Sequence, residues 1–106
     1  MLSGQCDCGK VTISIPELPQ EINACPCDYC SRVVARWGYF VAGTTAVKGA
    51  TDTYRRKSKT VEFHRCRECG VVTHWIDPTG GVRHMGVHMA NFDQSILAVI
   101  PIVVNP

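Results

Sequence analysis

The chain has 106 residues, with 11 basic and 9 acidic side chains for a formal net charge of +2. That length reads as a single domain, residues 1–106, with a modest core that a bound metal would help to stabilise. No run approaches the ~18 apolar residues of a membrane span, and the near-neutral balance argues against dedicated nucleic-acid binding.

The first 20 residues carry no apolar h-region and no cleavage pattern, so the expected compartment is the cytoplasm, with no signal peptide. The first cysteines, Cys6 and Cys8, are followed by Gly9. Residues 11–15 then alternate apolar and polar, which predicts a half-buried strand. Pro16 and Pro19 end it and open a loop that leads to Cys25-Pro26-Cys27-Asp28-Tyr29-Cys30. Residues 28–34 are expected to form a short helical turn. Residues 33–41 are rich in β-branched and aromatic side chains and read as a strand. Residues 54–59 hold four basic side chains beside Tyr54 and read as a solvated hairpin tip between two strands.

Residues 60–64 alternate again and deliver the chain into Cys66-Arg67-Glu68-Cys69-Gly70. A strand over 71–76 follows, then a turn at Pro78-Thr79-Gly80-Gly81. Residues 82–89 read as a strand, and Asp93 is expected to cap a turn through Leu97. The last strand is placed at 97–104. Its Pro101 makes it an edge or bulged strand, and an apolar edge of this kind would suit a homodimer. The whole pattern is all-β.

The seven cysteines fall in three tight clusters. In a reducing compartment such clusters are metal ligands rather than disulfides, and an odd total cannot pair completely. Gly9 and Gly70 each follow the last cysteine of a cluster, where a positive φ turns backbone amides toward the sulfurs. Those two clusters look like matching knuckles, each beside a strand, and adjacent strands would bring them together. Cys6, Cys8, Cys66 and Cys69 are therefore assigned to a tetrahedral structural zinc.

Cys25, Cys27 and Cys30 remain, three thiolates on one loop able to cap one face of a second zinc. The fourth ligand has to come from elsewhere: a histidine (His64, His74, His84 or His88), water or a substrate thiol. A histidine would close the site as a second structural zinc. An exogenous ligand would make it a site of chemistry.

The order Gly4-x-Cys6-x-Cys8-Gly9, Cys25-x-Cys27-x-x-Cys30 and Phe63-x-x-Cys66-x-x-Cys69-Gly70 resembles the glutathione-dependent formaldehyde-activating enzyme (GFA) family, also called the CENP-V/GFA domain family. Trp37-Gly38-Tyr39-Phe40, residues 60–63 and Arg83-His84-Met85-Gly86-Val87 are similar to segments of its short bacterial members. The likeness runs over about residues 3 to 100. Pro26, Ser31 and His88 depart from the pattern, where the family often has His, Arg and Asn.

The resemblance implies an all-β, Mss4-like sandwich stapled by the four-cysteine zinc. It also implies a second zinc at Cys25, Cys27 and Cys30 whose fourth ligand is the thiol of glutathione. The activity implied is carbon–sulfur lyase chemistry on a small-molecule thiol–aldehyde adduct such as S-hydroxymethylglutathione. Catalysis would centre on Cys25, Cys27 and Cys30. Arg32 and Arg36 are the candidates to meet the glutathione carboxylates, with Trp37, Tyr39 and Phe40 as candidate pocket walls. Asp28 reads as a surface or capping residue. The alternative is a non-catalytic, zinc-stabilised binding module for a protein partner or nucleic acid, the latter through Arg55, Arg56 and Lys57.

Overall fold

The computed structural model describes residues 2–56 and 61–105. The chain runs through Leu2–Gln5 (β1), Thr12–Ile15 (β2), Ile22–Asn23 (β3), Asp28–Val33 (α1), Trp37–Val41 (β4), Ala46–Lys48 (β5) and Thr51–Arg55 (β6). It continues through Glu62–Cys66 (β7), Val72–Ile76 (β8), His84–His88 (β9), a 3-10 turn at Met89–Asn91, Gln94–Leu97 (α2) and Ile102–Val103 (β10). No helix among the described residues is long and apolar enough to cross a membrane.

The strands form two sheets. One has three strands in the order β1-β2-β5, and the other has seven in the order β10-β3-β4-β9-β8-β7-β6. Alternation explains how they meet. In β2, Ile13 and Ile15 are buried while Thr12 and Ser14 are half-buried, so one face of the small sheet is apolar. That face packs on Phe40 of β4 and on Met85 and Val87 of β9, with Ile22, Met89, Phe92 and Ile100 closing the layer. The result is an all-β sandwich, as the family resemblance implies.

Three sequence expectations need correction. The strand placed at 33–41 starts only at Trp37, because Val33 ends α1 and Val34 turns the chain at φ 52. A left-handed conformation costs a β-branched residue ~1–2 kcal/mol. Here it brings the Ala35 N–H onto the Cys30 carbonyl at 2.9 Å. The strand placed at 97–104 shrinks to Ile102–Val103, pairing parallel with β3, since Leu97 belongs to α2 and Pro101 has no N–H to donate. The knuckles do not sit on adjacent strands. The strand after Cys8 is in the small sheet and the strand after Cys69 is in the large one.

Asp93 does cap α2, accepting from the Ser95 N–H at 2.8 Å. The hairpin expected around the basic segment is formed by β6 and β7. Lys57, Ser58, Lys59 and the predicted strand start at Thr60 lie outside the described residues.

Candidate metal centres and the pocket beside them

The two knuckles are built alike. Cys6 N–H donates to the Val11 carbonyl at 3.0 Å and Cys66 N–H to the Val71 carbonyl at 2.9 Å. Gly9 and Gly70, at φ 79 and φ 78, close each turn back onto the first cysteine's carbonyl. Amides also point at sulfur: Val11 N–H lies 3.3 Å from Cys6 Sγ, and Cys69 N–H lies 3.5 Å from Cys66 Sγ. The amides of Cys8 and Val71 hold the Cys69 thiol down at about 6, in the range where it ionises readily.

All four sulfurs lie within 4.8 Å of one another, with Cys6–Cys8 at 3.7 Å and Cys8–Cys66 at 3.6 Å. A tetrahedral zinc with ~2.3 Å bonds to sulfur needs sulfurs ~3.8 Å apart, so the donor set fits that ion. Every cysteine is a free thiol. The site lies between the sheets, where Arg67 N–H reaches the Ala50 carbonyl at 3.1 Å on the crossover from β5 to β6.

The other three sulfurs, of Cys25, Cys27 and Cys30, also lie within 4.8 Å of one another. The local helix explains the grouping. Cys27 is the N-cap of α1, and its Sγ accepts from the Cys30 N–H at 3.4 Å. Burial opposes ionisation of Cys27, but the Cys30 amide and the neighbouring thiols outweigh it and lower its pKa. Cys30 is itself buried, and burial pushes its thiol up to about 12 despite the Trp37 indole N–H donated to its Sγ at 3.3 Å. A dication among these sulfurs would reverse that balance in favour of thiolate.

None of the four histidines joins this group. His64 bonds Thr51 and Glu62, and His74 stacks on it at 4.3 Å between ring centroids. Desolvation, reinforced by His64, lowers His74 to about 4, so it stays neutral. His84 lines a separate cavity beside Val41 and Asp77. His88 accepts the Arg36 N–H on Nδ1 at 3.1 Å and packs its ring 5.7 Å from that of Trp37. It pairs with Trp37 across β4 and β9, beside the indole that donates to Cys30.

The three sulfurs open on a cavity of about 250 Å³. Sheet register builds its walls. Tyr39 pairs with Gly86, Gly86 with Trp75, Trp75 with Phe63, and Phe63 with Tyr54. One row of aromatic rings therefore crosses the large sheet on the face away from the core. Gly86 is the gap in that row, and the Trp75 indole fills it; a Cβ at Gly86 would overlap that ring. From above, Tyr29 stacks on Phe63 at 3.9 Å and on Tyr54 at 5.7 Å.

Gly86→Ala is expected to displace Trp75 and cost ~1–3 kcal/mol as an overpacked site. Urea melts together with a shift of tryptophan emission would register it. An unchanged melt and spectrum would show that the ring does not depend on the missing side chain.

Of the expected pocket residues, Trp37 and Tyr39 line the cavity, while Phe40 faces the opposite way into the core. Arg32 and Arg36 do not line it. Arg32 reaches back to the Asp28 carbonyl at 2.9 Å, and Arg36 borders a groove with Ile22, Val34 and Leu97. Among the described residues the cation that lines it is Arg56, a member of the basic run at 54–59. Its neighbours there are engaged: Tyr54 is stacked on Tyr29, and Arg55 pairs with Glu62 at 3.5 Å.

A family model described as glutathione-dependent formaldehyde-activating enzyme matches residues 1–102. A crystal structure of a Rhodobacter sphaeroides protein is similar over 96% of this chain and 100% of that one, at 25% identity and a TM-score of 0.78. Among curated proteins no sequence matches.

Proposed function

The chain belongs to the glutathione-dependent formaldehyde-activating enzyme family, and from that premise we propose that it makes or breaks S-hydroxymethylglutathione, as a zinc-dependent carbon–sulfur lyase. The observation that carries this reading is the convergence of three sulfurs at an aromatic pocket. Among the described residues no fourth His, Cys, Asp or Glu ligand atom joins them. In this reading residues 1–106 act as one domain. Cys6, Cys8, Cys66 and Cys69 hold a structural zinc, while Cys25, Cys27 and Cys30 hold a second one. The setting is a reducing compartment, the cytoplasm, where both thiols and substrate persist.

Zinc bound by the three cysteines would supply the positive charge that keeps an incoming thiol ionised near neutral pH. The chain's own residues do the rest. Capping of α1 holds Cys27 and Cys30 in place, and the Trp37 indole orients the Cys30 sulfur. Trp37, Tyr39, Phe63 and Trp75 exclude water and hold the adduct against the sulfurs. Arg56, and not Arg32 or Arg36, offers a cation to a glutathione carboxylate. In one direction the glutathione sulfur bonds to the formaldehyde carbon; in the other that bond breaks.

A glutathione titration of the cobalt-substituted protein tests the reading. The sulfur-to-cobalt charge-transfer band is expected to rise and saturate. No rise in protein shown to hold two metals would overturn it and favour a non-catalytic binding module.

A further inference from the structure

Asn23 is a buried polar residue in β3 whose hydrogen bonds are all accounted for. Its Oδ1 accepts from the Asn105 N–H at 2.9 Å, and its Nδ2 donates to the Asn105 carbonyl at 3.2 Å. That pair of bonds fixes which end of the amide is which, since a backbone N–H only donates and a carbonyl only accepts. The remaining Nδ2 proton goes to Tyr39 Oη at 2.6 Å. Tyr39 must therefore accept at this bond, and its own proton is free for another partner. Among the described residues no acceptor takes it. Tyr39 lines the pocket of Cys25, Cys27 and Cys30, on the same face of β4 as Trp37.

We propose that Tyr39 is a catalytic residue that donates its O–H to the substrate oxygen on the carbon being joined to sulfur. Asn23 is the positioning residue that turns this donor toward the substrate. The inference rests on the adduct chemistry above. As the sulfur's electron pair forms the S–C bond, the carbonyl π pair moves onto oxygen, and Tyr39 stabilises the charge there by hydrogen bonding. The proton that glutathione released on ionising returns through solvent to that oxygen, giving the hydroxymethyl group. Tyr39 neither gains nor loses a proton, and the reverse reaction retraces the path. A tyrosine phenol, with an ordinary pKa of about 10, is protonated at neutral pH. Removing one such donor from an oxyanion site lowers rates by about 100- to 1000-fold.

The test compares the zinc-loaded protein with its Tyr39→Phe variant. The exchange rate between 13C-formaldehyde and its glutathione adduct is read by NMR above the uncatalysed rate, and glutathione binding is measured separately. The variant is expected to bind glutathione as before and to lose about 100-fold in rate. A rate within about threefold of the parent, with binding intact, overturns the role of Tyr39 and leaves the family chemistry standing. The variant keeps the ring that walls the pocket and removes only the hydroxyl; loss of glutathione binding in it also overturns the proposal, since the hydroxyl would then serve to bind glutathione rather than to act on the reacting oxygen. No binding and no acceleration by the parent protein overturns both.

A second readout does not depend on turnover. The chain has three tyrosines, so 13Cζ-tyrosine labelling gives a spectrum in which the Tyr39→Phe variant identifies the Tyr39 signal. That signal is expected to move when glutathione and formaldehyde are both present, beyond its position with glutathione alone. No added movement overturns the proposal.

Discussion

Cys66→Ser is expected to unfold the protein. Cys66 ends β7 and is 1% exposed, as is Cys6 on the other knuckle. Their sulfurs meet where the two sheets meet, joined in one cluster with Cys8 and Cys69. Serine cannot supply a thiolate, and the buried Cys6 with Cys8 and Cys69 would be one ligand short of a tetrahedral set. A structural zinc contributes on the order of 10 kcal/mol to folding, comparable to the ~5–15 kcal/mol that holds an ordinary domain together. The small sheet would lose its clamp at one end, keeping only the Ile13 and Ile15 layer at the other. Circular dichroism with zinc analysis reads the outcome, and a strong chelator applied to the parent chain should reproduce it. A cooperative native-like melt in Cys66→Ser would show that this cluster does not hold the fold.

Cys27→Ser is expected to behave in the opposite way, keeping the fold and losing thiol binding. Cys27 acts as the N-cap of α1, and serine is among the preferred N-caps, so the helix survives the exchange. The cluster of Cys25, Cys27 and Cys30 lies beside the pocket on the outer face of the large sheet, away from the core between the sheets. Its loss therefore leaves the sandwich closed. Changes in the surroundings of a metal ligand alone cost about 10- to 100-fold in affinity or activity, so loss of a ligand should exceed about 100-fold in adduct exchange. Adduct exchange by NMR and a thermal melt together separate the two expectations. Global unfolding would mean that the structural and chemical sites are assigned the wrong way round. Full activity in a folded variant would mean that the three-cysteine cluster is not the reacting site.

The contrast rests on where each cluster sits, and only part of that was legible in the chain. The grouping of the cysteines was, because each knuckle is a local object. Cys6 to Val11 and Cys66 to Val71 close the same kind of loop, and the glycine that permits each turn stands in plain sequence. The strands with period-two apolar residues and the Asp93 cap were legible for the same reason. Strands such as Leu2–Gln5 and Thr51–Arg55 were not, because they are short and half polar, and pairing with neighbours is what makes them strands.

The pocket belongs to tertiary structure alone. Tyr39, Trp75 and Phe63 come from three strands and become one wall only through antiparallel register, with Gly86 leaving the gap that the Trp75 indole fills. Arg56 rather than Arg32 or Arg36 faces the cavity because proximity along the chain to Cys30 says little about direction. Helix α1 and the turn at Val34 carry Arg32 and Arg36 to other surroundings. The donor state of Tyr39 depends on Asn23, whose amide is set by Asn105 from the far end of the chain. The sequence by itself determined which residues can grip a metal, since ligand spacing and glycine turns act within a few residues. Which side chains line the pocket beside the three cysteines was decided by the sheets, since strand pairing joins residues that the chain keeps far apart.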